Sequence, residues 1–154
     1  MPVAIMAMGI VFNLLNGMMQ AGGLFYFAPE GLYADGWAYL LKPHALLGVI
    51  LFFAGMFINL HSDYVIRHLR KPGDTKHYLP GKGLYRYVTS ANYFGELVEW
   101  TGFAILTASP AAWVFVWWTF ANLVPRADAI HCHYREEFGD EAVGKRKRII
   151  PFLY

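Results

Sequence analysis

Three apolar stretches of this chain carry polar residues at spacings that put them on common helix faces. In the first, Asn59, Asp63 and Arg70 stand at i, i+4 and i+11, and Asp63 with Arg67 forms an i,i+4 pair. In the second, Asn92, Glu96 and either Glu99 or Trp100 share a face, and in the third Asn122, Arg126 and either His133 or Tyr134 do. Polar and ionisable groups inside apolar segments are expensive to bury, which favours a ligand-binding role. The alternative is that they only hydrogen-bond neighbouring helices and glue a bundle. That alternative suits a lone Asn better than three stripes that include Glu96, Glu99 and Arg126. The stripes are expected to meet at one end of a bundle and form a ligand site.

Other residues carry weaker signals. The segment 71–90 reads as a long irregular loop of the kind used for lids and binding loops. Its Gly81-Lys82-Gly83 lets backbone amides and a cation approach an anion, but it matches neither the phosphate-loop pattern nor the dinucleotide fingerprint. An ordinary flexible connection fits the same residues. Pro125 removes a backbone donor next to Arg126 and is expected to kink that helix, either to aim Arg126 or for packing alone. His131-Cys132-His133 invites a metal reading, yet residues two apart do not share a helix face. Cys132 is the only cysteine, so no metal site is expected, nor any internal disulfide. The run Lys145-Arg146-Lys147-Arg148 reads as a solvated tail facing lipid headgroups.

The elements that must position these groups are apolar helices. Hydrophobic residues make up 56% of the 154 residues and charged residues only 16%, against about 25% in a soluble domain. Too few charges are present to coat a water-facing surface, and nucleic acid is excluded as a partner. Apolar segments run from about Pro2 to Phe27, from near His44 through Leu60 with a polar helical extension to Arg70, from Ala91 to Thr107, and from Pro110 past Arg126 towards Phe138. The first is read as a retained helix, since it lacks the basic start of a signal peptide. The expected fold class is all-α, a polytopic transmembrane helix bundle of about four spans. Six of the 13 Lys and Arg lie between Arg67 and Arg86, six between Arg126 and Arg148, and only Lys42 elsewhere. Four spans put both clusters on one face, which the positive-inside rule makes cytoplasmic. Residues 1–154 then form a single membrane domain, with the 71–90 loop in the cytoplasm.

Several stretches together resemble one family. They are Gly55-Met-Phe-Ile-Asn-Leu-His-Ser-Asp63, Arg67-His-Leu-Arg-Lys-Pro-Gly-Asp74, Pro80-Gly-Lys-Gly-Leu84, and Tyr87-Val-Thr-Ser-Ala-Asn-Tyr-Phe-Gly-Glu96 with Glu99-Trp100. The ending Ile150-Pro-Phe-Leu-Tyr154, Asn16-Gly17 with Gln20, and Asp35-Gly-Trp37 also fit. These are similar to the C-terminal region of steroid 5α-reductases, over nearly the whole chain. The resemblance implies the last four helices of a seven-helix membrane fold and NADPH as cofactor. It also implies reduction of the C4–C5 double bond of 3-oxo-4-ene steroids, with hydride to the β-carbon and a proton to the α-carbon. It implies a cofactor site lined by Asn59, Asp63, Arg70, Asn92, Glu96, Arg126 and Tyr134. Arginines suit the phosphates of NADPH, and amide or carboxylate groups suit its nicotinamide and ribose.

Partners implied are a steroid or related lipid substrate and membrane lipid. The family's carbonyl-polarising Glu and Tyr lie upstream of the matched region, so catalytic residues stay unassigned and a preceding segment or chain is expected to supply them. A related reductase of enoyl-thioester lipids and a non-catalytic membrane subunit are the alternatives. The expected location is the endoplasmic reticulum in a eukaryote or the inner membrane in a bacterium. The chain departs from the family in His77-Tyr78 before Leu79-Pro80, in Ile130-His131, and in a tail one residue longer between Phe138 and Pro151.

Overall fold

A computed structural model describes residues 3–71 and 73–154; Met1 and Pro72 are among the positions not described. The chain is helical, with no strand among the described residues. α1 spans Val3–Phe25, α2 Pro43–Arg67, α3 Ala91–Thr107, α4 Pro110–Phe138 and the short α5 Asp140–Val143. Turns of 3-10 helix cover Gly36–Leu41 and Gly83–Arg86. α1 and α2 are long and apolar enough to cross a membrane.

Local chemistry sets the boundaries. Pro43 and Pro110 open α2 and α4 at positions where a backbone donor is not needed. α4 closes at Gly139, whose φ of 82° lies in the left-handed region. Its helix runs unbroken across Pro125. α2 stops at Arg67, capped by the backbone N–H of His68, rather than continuing to Arg70. Arg70 therefore lies beyond the helix and does not share a helix face with Asn59 and Asp63. The proposed extension fails because His68 leaves helical geometry, with φ near −100° and ψ near 12°, and the chain bends into the loop.

α2 and α3 make the most extensive helix contact in the molecule. They pack antiparallel with their backbones nearly touching at two glycine pairs. A Cβ added at Gly48 would collide with Leu106 and the Gly102 carbonyl, and one at Gly55 with Glu99 and the Gly95 carbonyl. Reciprocally, Gly95 faces Asn59 and Gly102 faces Phe52. The glycines are seven apart on each helix, the repeat that keeps one seam facing a partner. Small residues at a seam allow such close approach, as in membrane helix pairs.

The tail is anchored. Thr89 and Ser90 N–H groups donate to the Lys147 and Arg148 carbonyls at 2.9 and 3.0 Å, and the Lys147 N–H donates to Tyr87 at 2.8 Å. Ile149 is fully buried and packs in a cluster with Leu97, Leu123 and Ala127. Within the basic run, Arg146 donates to the Pro80 carbonyl at 2.9 Å and Arg148 pairs with Asp128. The expectation of a purely solvated tail is therefore corrected: two of its four cations hold the loop and α4 together. The signal was masked because both partners are far away in sequence.

Candidate functional site

Residues of the polar stripes line two separate clefts, while Asn59, Asp63 and Asn92 line neither. Glu96 on α3 and Arg126 on α4 line a cleft of about 380 Å³ together with Asn122, Thr119, Phe12 and Trp118. Glu96 is half-buried, and Arg126, Glu99 and Asp63 all lie within its electrostatic reach. Asn59 on α2 stands beside the carboxylate of Glu99 on α3. The contact follows from the glycine seam, because Gly95 sits against the backbone of Asn59 and Gly55 against that of Glu99. A wider pair of helices would leave these polar groups apart.

Arg70 and Tyr134 line a second cleft, of about 390 Å³, with Arg67, His77 and Tyr78. Arg70 and Arg126 each have no carboxylate within 4.0 Å among the described residues, unlike Arg67, Arg135 and Arg148. Two guanidinium groups thus face the clefts without an ion-pair partner. Asp63 is taken up by Arg67 at 3.8 Å, a long and exposed pair.

Tyr85 and Tyr93, which the stripe pattern does not reveal, stand near Tyr134. Tyr85, in the 3-10 turn before α3, is 1% exposed, and its hydroxyl donates to the Asn92 side-chain oxygen at 3.4 Å. Burial pushes its phenol well above the ordinary tyrosine range, with Tyr134 and Asp63 adding to the shift, so it stays a neutral donor. Tyr93 lies within reach of both Tyr85 and Tyr134. Tyr85 belongs to no periodic segment, so helix spacing could not flag it; its place in the Leu84-Tyr85 turn against α2 is a tertiary fact.

The loop is more ordered than an irregular connection. Asp74 accepts from the Lys76 N–H at 2.9 Å and from the Tyr78 hydroxyl at 2.8 Å, and these bonds hold its carboxyl below the usual carboxylate range. Gly83, at φ 60°, brings the backbone against the His61 ring. The Gly81-Lys82-Gly83 segment lines neither cleft. In the His-Cys-His run, His131 is buried and meets the Thr89 hydroxyl at 3.3 Å, whereas Cys132 and His133 are exposed.

The donor set fits a phosphate-bearing, amide-bearing cofactor of the NADPH class. It offers two unpaired arginines for anionic groups, and Asn92, Glu96 and Tyr134 for amide and hydroxyl groups. The aromatic walls give flat apolar surface.

A family model described as 3-oxo-5-alpha-steroid 4-dehydrogenase matches residues 1–154. The chain is 44% identical over 154 residues to 3-oxo-5-alpha-steroid 4-dehydrogenase 1 of Macaca fascicularis, covering 100% of this chain and 56% of that protein. Against the protein of the same name from Homo sapiens it is 44% identical over 154 residues, covering 100% and 57%. Against steroid 5-alpha-reductase DET2 of Gossypium hirsutum it is 38% identical over 153 residues, covering 99% and 58%. The chain thus spans somewhat more than half the length of these relatives.

Proposed function

This chain belongs to the 3-oxo-5-alpha-steroid 4-dehydrogenase family, and on that footing we propose that it carries the NADPH-binding part of a membrane reductase. Its substrates are 3-oxo-4-ene steroids, reduced at the C4–C5 double bond. The observation that carries this reading is the meeting of Glu96 with an unpaired Arg126 in one aromatic-walled cleft. Bound NADPH supplies a hydride. Arg126 and Arg70 hold its anionic groups, and Asn92 and Glu96 take hydrogen bonds from or to its amide and hydroxyl groups. Asn59 stands beside Glu99 across the glycine seam, next to Glu96. Tyr134 lines the Arg70 cleft, with Tyr85 and Tyr93 near it and Asp63 within reach of Tyr85. Carbonyl-polarising donors are not assigned to residues of this chain.

The test is NADPH affinity of the protein in detergent or liposomes, carrying Asn92→Ala, Glu96→Ala or Arg126→Ala. A lost charged hydrogen bond costs about 1.5–3 kcal/mol, or roughly 10- to 150-fold in affinity. Wild-type affinity in all three variants, with the helical content intact, refutes the assignment.

The site lies at the basic end of the bundle, and we place that end in the cytoplasm, with α3 and α4 spanning the bilayer beside α1 and α2. At the opposite end Lys42 is neutralised by Asp35 at 2.8 Å, which sharpens the charge asymmetry. Single cysteines at Lys82 and Lys147, in a Cys132→Ser background, are expected to label from the cytoplasm, and one at Asp35 only from outside. Labelling of Lys82→Cys and Asp35→Cys from the same side breaks the four-span topology.

A further inference from the structure

We propose that His77, His133 and Glu137 form a binding site for a divalent transition metal of the zinc class, which clamps the loop before Pro80 onto the cytoplasmic end of α4. His133 and Glu137 stand one turn apart on α4, so their side chains project from the same face. His77 reaches them from the loop. Its Nδ1 lies 2.7 Å from one oxygen of Glu137, and His133 Nε2 lies 3.2 Å from the other. The two imidazole rings meet edge-on, 70° apart, with centroids 6.5 Å apart. One ligand atom from each residue can be chosen so that all three fall within 4.8 Å of one another.

A zinc ion binds imidazole nitrogen and carboxylate oxygen at roughly 2.0–2.2 Å in a tetrahedron, which sets its ligand atoms about 3.4 Å apart. Each histidine is already inside that spacing from one oxygen of Glu137, His77 from one and His133 from the other. The carboxylate must bind through both oxygens or turn to share one, and the histidine nitrogens must draw together from within 4.8 Å; exposed side chains can do so by rotation without moving α4. Two imidazoles and one carboxylate favour zinc, cobalt, nickel or copper over magnesium and calcium, which prefer all-oxygen shells. Three protein ligands leave a coordination position for water.

The place of the site in the fold gives it a role. Among the described residues, the side-chain hydrogen bond tying segment 71–79 to the rest of the molecule is His77 to Glu137. The other bonds of that segment are internal, between Asp74 and its neighbours Lys76 and Tyr78. His77, His133 and Glu137 line the same cleft as Arg70, Tyr78 and Tyr134. A metal there replaces one exposed hydrogen bond by coordination bonds and fixes one wall of that cleft. The site uses only His133 of the His131-Cys132-His133 run; His131 is committed to Thr89 in the interior.

The experiment is titration of the full chain, without a polyhistidine tag, with zinc against a chromophoric chelator and with cobalt followed by its visible absorption. One equivalent is expected to bind. His77→Ala, His133→Ala and Glu137→Ala should each weaken binding by more than the roughly 10- to 100-fold lost when a residue merely supporting a ligand is removed. His68→Ala and Cys132→Ser should bind as wild type. Zinc should also slow tryptic cleavage after Arg70 and Lys76 in the wild type but not in His77→Ala. Binding that survives all three alanine variants, or that disappears with Cys132→Ser, overturns the site. Zinc-independent cleavage of the wild-type loop overturns the clamp.

Discussion

The seam between α2 and α3 and the contact between α1 and α4 are both helix pairs in an apolar chain, and they are held in opposite ways. Across the seam, backbones meet at Gly48–Gly102 and Gly55–Gly95 with no room for a methyl group. α1 instead leans on α4 through side chains. Phe12 stacks on Trp118 at 5.8 Å and tilts against Phe115 at 6.2 Å, and Gln20 reaches the Ala111 carbonyl at 3.3 Å. Only Gly23 of α1 is buried, while Val3, Met8 and Met18 are exposed by 70% or more: 81%, 71% and 72%. The seam fixes Asn59, Asn92, Glu96 and Glu99 relative to one another. α1 supplies one wall, Met8, Gly9 and Phe12, to the Glu96–Arg126 cleft. Rigidity thus sits under the polar groups, and the apolar wall is the part left adjustable.

The largest expected effect uses one substitution in both places. Gly55→Ala or Gly95→Ala puts a methyl group into backbone that cannot yield, so the helices must separate. Overpacking of this kind costs about 1–3 kcal/mol and occasionally more. Gly9→Ala and Gly17→Ala meet nothing within 4 Å and remove a helix-interior glycine, worth roughly 0.5–1 kcal/mol in the stabilising direction. Thermal unfolding in detergent should therefore move down for the first pair and hold or rise for the second. A common direction would erase the contrast between the two regions.

A smaller effect is expected where the regions come closest in kind. A Cβ at Gly23 would lie 2.7 Å from the Ala111 Cβ and from the Ser109 Oγ. These are side-chain atoms at the start of α4, and α1 can slide away from them. Gly23→Ala should cost about 1 kcal/mol, at the low end of overpacking. A loss as large as that of Gly55→Ala, read by the same unfolding curve, would mean that α1 is held as rigidly as the seam.

The contrast also explains what could be read in advance. The bounds of α3 and α4, Ala91–Thr107 and Pro110–Phe138, are where the apolar runs and Pro110 put them. Glu96 and Arg126 meet because neighbouring helices were each given a polar stripe, which is a local, periodic signal. The seven-residue glycine spacing is equally periodic, yet its meaning depends on which helix faces it, and the polar residues beside it drew the reading instead. Arg70 was misplaced because hydrophobic spacing does not mark where a polar helix end bends away. Tyr85, the Arg146–Pro80 bond and the His77–Glu137 contact join segments far apart in sequence and leave no local trace.

The smallest expected effect is at Gln20, and its sign tests how specific the α1 contact is. The Gln20 amide nitrogen has two long bonds, to Asn16 Oδ1 and to the Ala111 carbonyl, both at 3.3 Å. Its own carbonyl oxygen is buried with no partner among the described residues. A made hydrogen bond is worth about 0.5–1.5 kcal/mol net, and a buried unpaired acceptor costs about 1–3 kcal/mol. Gln20→Leu removes both the bonds and the orphaned oxygen while nearly keeping the volume, so the two contributions oppose each other. Ala111 lies one residue into α4, and its carbonyl keeps its intrahelical partner. The unfolding free energy should change by less than about 1 kcal/mol, the difference of these ranges. Gln20→Glu, which buries a charge at the same place, should be clearly worse than Gln20→Leu. If Gln20→Leu itself lost more than about 2 kcal/mol, beyond the worth of one net hydrogen bond, the amide would be a specific anchor of α1. The adjustable wall proposed for the cleft would then have to be given up.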